Sequence, residues 1–190
     1  MSVRTDIKLE DRVETLIRET AAAKGLPAFV VRALVIKEST GCVWACRAEP
    51  KYRYLWDISL RRPFRRLTDQ ELLSKQAPAD FPAPLGVSRN TEYWGQQMSW
   101  GYMQIMGAVG RECGYIGDFL GGLYEPAINI EIGSRHLQDL ARRYQDKVGW
   151  PGVVAAYNAG SPRVLDTGAF ENQAYVDAVK AILGGVWPAK

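Results

Sequence analysis

Histidine is almost absent from this chain: His136 is the only one in 190 residues. No metal site can be assembled around a single imidazole. His136 lies within the polar–apolar alternation of a long helical stretch, where a structural role is expected. Cysteine is scarce as well. Cys42, Cys46 and Cys113 give no disulfide framework. Cys42 and Cys46 could pair, but reduced, buried thiols are the expectation. Charge of one sign is also lacking, since 24 basic and 21 acidic residues leave a net +3. The nearest approach to a basic array, Arg61, Arg62, Arg65 and Arg66, reads as a solvated helix face, so no nucleic-acid partner is expected. A mild positive charge fits an anionic polymer as well as no special partner. No apolar run approaches the ~20 residues of a membrane span. The opening MSVRTDIKLEDRVETL carries charges throughout and lacks the apolar core of a secretory signal. A monomer without stable membrane association is expected.

What is present is a real core composition, 47% hydrophobic, patterned almost everywhere at helical spacing. Asp6 to Lys24 is amphipathic and stops at Gly25, and Pro27 to Ser39 is nearly wholly apolar. Residues 42–57 are irregular and aromatic. Thr68-Asp-Gln-Glu71 matches a capping box that opens a short helix through Lys75. Pro78, Pro82 and Pro84 mark an extended loop. Further helices are predicted behind Thr91, over Gly101–Cys113, Pro126–Lys147 (the longest), Trp150–Asn158, Pro162–Leu165 and Asn172–Leu183. There is no internal repeat and no convincing hairpin alternation. The fold class is mainly α, either all-α or α+β with its small β part hidden in 43–98.

Within ALVIKESTG, Ala33 to Gly41, one glutamate ends the apolar helix. At roughly 100° per residue, Glu38 projects between Leu34 and Val31, while Arg32 points elsewhere. Desolvation and the negative helix end both oppose ionisation there, which prepares a carboxyl to act as a general acid near neutral pH. The alternative is a helix-end glutamate turned out to water.

Three later segments follow in order: SWGYMQIM from Ser99 to Met106, LYEPAINIEIGSRHL from Leu123 to Leu137, and AAYNAGSPRV from Ala155 to Val164. ENQAYVDAV, Glu171 to Val179, completes the set. Together with ALVIKESTG they resemble the catalytic domain of soluble lytic transglycosylases, which is similar to goose-type lysozyme. The resemblance runs from about Leu26 to Ile182. It implies a single lysozyme-like catalytic domain over 1–190, with an insertion at 43–98 between the catalytic helix and the GxMQ helix.

On matching positions the resemblance implies Glu38 as sole acid/base, with Ser39 beside it as a substrate contact. Gln104 and Met106 would line the sugar site, with Met103 and Ile105 alternating toward the core. Tyr157, Asn158 and Tyr175 would complete it, although Asn158 could simply terminate its helix. The implied substrate is the peptidoglycan glycan strand. Glu38 would cleave the MurNAc–GlcNAc β-1,4 bond and leave a 1,6-anhydro end, with no metal or cofactor needed. Most glycosidases use two carboxylates, and none accompanies Glu38 in the matched motifs.

About sixty residues, Gly41 to Trp100, fall outside the family pattern. They hold Trp44, Tyr52, Tyr54, Trp56, Tyr93, Trp94 and Trp100, which could stack on sugars or form a satellite core. Glu49, Asp57 or Glu92 could position a water, which would make the enzyme a muramidase hydrolase. A non-catalytic wall-binding module is a third reading. A wall enzyme without an export signal suggests a phage endolysin or virion-associated lysin, made in the host cytoplasm and released through a holin, in a virion or by another secretion route.

Overall fold

The computed structural model describes residues 6–188, so the first five residues of the charged N-terminal stretch lie outside it. About 51% of the described residues are helical, in seven α-helices and a 3₁₀ turn, and the strands among them are few and short. The mainly-α expectation with a small β part holds. The chain divides into two units, Met1–Gly41 with Gly133–Lys190, and Cys42–Ile132. Among the described residues no helix is long and apolar enough to cross a membrane.

In the first unit, α1 (Asp11–Lys24) buries Val13, Ile17 and Ala21 on one face. It stops where expected: Gly25 adopts φ 64°, which a side chain resists. Gln138 Nε2 caps the Lys24 carbonyl at 2.7 Å. Helix α2 (Ala28–Ser39) buries seven of its residues, Val31 and Leu34 completely. Arg32 is turned onto α1, with Nε donating to Glu14 at 2.7 Å and Nη2 to the Ile7 carbonyl at 3.0 Å. Helix α7 (Gln173–Ile182) packs on α2 and buries Val176 and Val179. Helix α6 (Pro126–Ala159), which belongs to this unit from Gly133 onward, breaks at Gly149, φ 65°. Pro151 follows in the first turn after the break, where a missing N–H costs little. The helix predicted at Pro162–Leu165 does not form. That segment folds back instead, with Val164 bridged to Phe170 and the Leu165 N–H donating to Ala169 at 2.8 Å around Gly168, φ 80°.

In the second unit, β1 (Cys46–Ala48), β4 (Met98–Trp100) and β5 (Ile105–Met106) form an antiparallel sheet in the order β1–β4–β5. Cys46 faces Trp100 and Trp100 faces Ile105 in its register. A separate hairpin pairs β2 (Trp56–Asp57) with β3 (Arg62–Pro63). Helices α3 (Asp69–Leu73), α4 (Arg89–Gln96) and α5 (Gly107–Glu112) and a 3₁₀ turn at Leu120–Tyr124 complete it. The capping box forms in full: Thr68 Oγ1 accepts the Glu71 N–H, and Glu71 Oε2 accepts the Thr68 N–H at 2.8 Å.

Two expectations are corrected here. Hairpins do occur, and Gly101–Cys113 is not one helix. Residues 101–104 turn between β4 and β5, with Gly101 at φ 67° and Gln104 at φ 46°. The cause is Asn129, completely buried, which accepts the Met103 N–H and donates to the Trp100 and Leu123 carbonyls, each at 2.8 Å. Leu55, Leu67, Phe81 and Tyr93 form a satellite core inside the insertion.

Candidate active site

Glu38 stands on the last turn of α2, half-buried, one and two turns beyond the buried Leu34 and Val31. The Tyr175 hydroxyl, from α7, donates to Glu38 Oε1. Burial, and then the negative charge of Glu38, hold the Tyr175 proton on well past the ordinary phenol range. The phenol is therefore a permanent donor aimed at the carboxyl group. Lys37 Nζ lies 4.8 Å from the centre of the Tyr175 ring and helps fix it. Nothing in the sequence spacing pointed to Lys37.

Tyr157 is close enough to raise the Tyr175 proton affinity further, so Glu38, Tyr175 and Tyr157 share one neighbourhood. The Tyr157 ring packs on His136, centroids 5.4 Å apart. Burial drops the His136 pKa to about 4, so the imidazole is neutral packing, as its sequence context suggests. Asn158 is exposed, and its Oδ1 accepts Asn172 Nδ2 at 2.9 Å. Gly160, at φ 78°, closes that helix by donating to Ala156. Ser39 is buried: its Oγ donates to the Val35 carbonyl and accepts the Gly41 N–H, shaping the turn behind Glu38.

In the second unit, Met103 and Ile105 are core residues, as their alternation implied. Met106 is half-buried at the start of α5. Gln104 is a latch: its Nε2 donates to the Ala45 and Gly101 carbonyls at 2.9 Å, and its Oε1 accepts Ser99 Oγ at 2.8 Å. The same Ala45 carbonyl accepts the Gly101 N–H, so Gln104 fixes the approach to β1. Of the second-acid candidates, Glu92 is 1% exposed and bidentate with Arg111, so water cannot reach it. Asp57 caps its own turn by accepting the Ser59 and Leu60 N–H groups, and Glu49 pairs with Arg47. Among the aromatics, Trp44 is 70% exposed and leans on Tyr124, centroids 5.2 Å apart. Tyr54, Trp56 and Trp94 are half-buried.

Residues 83–176 match the family model of the Transglycosylase SLT domain. This chain carries a transglycosylase SLT domain. The family consists of lytic transglycosylases, lyases that act on peptidoglycan, and the chain is an enzyme of that class. The matched stretch of this transglycosylase holds Gln104, Met106, Tyr157, Asn158 and Tyr175, and begins well after Glu38 and Ser39. Much of the 43–98 segment separates Glu38 from that start. No curated protein and no solved structure matches the chain.

Proposed function

We propose that this lytic transglycosylase works with Glu38 as its sole acid/base, in a single catalytic domain that carries 43–98 as an insertion. The supporting observation is the hydrogen bond from Tyr175 to Glu38 at the end of an apolar helix. One carboxyl, held by a neutral donor among buried residues, suits a group that must give and then take back a proton. In the proposed reaction Glu38 protonates the oxygen bridging MurNAc and GlcNAc, and that C1–O bond breaks. The substrate's acetamido carbonyl stabilises the oxocarbenium-like centre in place of a second carboxylate. The muramic C6 hydroxyl then attacks C1 and yields its proton to Glu38, closing the 1,6-anhydro ring without consuming water.

Tyr175 orients the acid, with Tyr157 and Asn158 as substrate contacts beside it. Gln104, Met106 and Ser39 belong to the same proposal. The hydrolytic alternative is weakened by Glu92, whose carboxylate is already bound at both oxygens. A phage endolysin or virion-associated setting is kept as part of the proposal, its test being whether lysis from within requires a co-expressed holin. Glu38→Gln keeps the shape and removes the transferable proton. It should lower turnover of purified peptidoglycan by about 10²–10⁴-fold with little change in melting temperature. Mass spectrometry of wild-type products should find anhydro ends. Reducing ends, one water heavier, would overturn the cyclisation, and a fully active Glu38→Gln would overturn the assignment of the acid.

A further inference from the structure

The second unit contains a groove of about 360 Å³ outside every motif the family resemblance covers. One wall is the β2–β3 hairpin, which contributes Trp56, Ile58 and Arg61. The other is the 111–116 segment, with Glu112, Tyr115 and Ile116. The rim is apolar and open: Ile116 is 88% exposed, and so is much of Leu60 and Leu85, the neighbours of the lining residues Arg61 and Pro84.

A single buried polar chain ties the two walls together. The Trp56 N–H donates to Gln96 Oε1 at 2.8 Å, and Gln96 Nε2 donates back to the Trp56 carbonyl at 3.0 Å. The same Nε2 donates to Glu92 Oε1, and Glu92 holds Arg111 through two bonds of 2.8 Å. Arg111 then donates to the Tyr115 and Gly117 carbonyls at 3.1 and 2.6 Å. Burying an ion pair costs desolvation that apolar residues of similar volume would not incur. Here the pair stands between the two walls of the groove and links them. With Arg111 neutralised by Glu92, the groove offers one free cation, Arg61, and one free anion, Glu112. Neither takes part in an ion pair among the described residues.

We infer that this groove binds the short peptide stems of peptidoglycan, a stem carboxylate meeting Arg61 and a stem amine meeting Glu112. This rests on the reading that peptidoglycan is the substrate. The lining favours a peptide over a sugar. Ile58, Pro84 and Ile116 match methyl and methylene groups, and opposite charges match a zwitterionic chain, which bare glycan does not offer. The inserted segment would thus let the enzyme distinguish stem-bearing strands from stripped ones.

The probe is a synthetic L-Ala-γ-D-Glu-diamino acid tripeptide, titrated into the full chain and followed by NMR of the Trp56 indole and the Ile116 methyl. Those signals should move and saturate, and Arg61→Gln and Glu112→Gln should each weaken binding by at least about 5-fold. In parallel, wild type and both variants are compared on stem-bearing peptidoglycan and on strands stripped by an amidase. The variants should lose about 5-fold in kcat/KM on the first and nothing on the second. Saturable binding by an enzyme that cleaves neither substrate would sustain the groove and overturn the reading of activity instead. Tripeptide that leaves Trp56 and Ile116 unmoved, movement caused by stripped glycan alone, or an equal loss on both substrates would overturn this inference.

Discussion

At the scale of single residues, the proposed chemistry turns on a bond between positions 137 apart in sequence, Tyr175 to Glu38. Glu38 was legible as a candidate because one carboxyl closes a run of apolar residues. Its partner was not legible from local pattern, since no periodicity links α2 to α7; only the family wording pointed to Tyr175. The bond has a definite consequence. A donor to a carboxylate favours its charged form, so losing the donor makes Glu38 hold its proton to higher pH. Tyr175 itself stays protonated throughout, because burial and the Glu38 charge both oppose its ionisation. Tyr175→Phe should therefore move the alkaline limb of the kcat/KM profile to higher pH. It should also lower the maximum by about 10-fold through loss of orientation. A profile that superimposes on wild type would remove Tyr175 from the mechanism.

At the scale of elements, signals contained within a few residues were readable. The Thr68–Glu71 capping box and the Gly25 stop both form as their sequences suggest, because each is satisfied by its own neighbours. The start of α4 was nearly legible: Ser88 caps it by accepting the Thr91 N–H at 3.1 Å, three residues before the Thr91 marker. The stretch after Trp100 misled, since its apolar content is compatible with a helix. What decides it is Asn129, which binds the backbone at Met103, Trp100 and Leu123. A side chain at Gly101 would place its Cβ 2.5 Å from Asn129 Nδ2 and 2.9 Å from the Leu123 carbonyl, at a φ of 67°. Gly101→Ala thus meets both backbone strain and a displaced buried amide. It should cost about 2–4 kcal/mol in urea unfolding. A loss below about 0.5 kcal/mol would mean that Asn129 does not dictate this turn.

For the whole molecule, composition correctly announced a mainly helical chain with a core, and His136 as packing. The division into two units was beyond it, because one unit joins residues up to 41 with residues from 133 onward. Each unit carries its own response to acid. In the first, His136 has its pKa lowered by burial to about 4, with Asp139 opposing and Arg143 reinforcing that shift. Between pH 6.5 and 4 the unfolded chain takes up a proton that the folded ring refuses, so stability falls as pH falls through that window. Allowing for the ring's partial exposure, the loss is about 1–2 kcal/mol. In the second unit, hydrogen bonds from Arg65 hold Glu71 down to about 2 and Asp80 below its ordinary range. Carboxylates lowered in this way stabilise above their ordinary values, and that stabilisation disappears only as pH falls from about 4.5 toward 2. The two units should therefore soften in order. Hydrogen exchange, corrected for its intrinsic pH dependence, should find peptides around 133–144 losing protection between pH 6 and 4, while those around 63–81 persist to lower pH. His136→Asn, which cannot take up that proton, should abolish the first loss and leave the second. Simultaneous loss in both peptide sets, or an unchanged first loss in His136→Asn, would show that burial of this one imidazole does not set the acid limit of its unit.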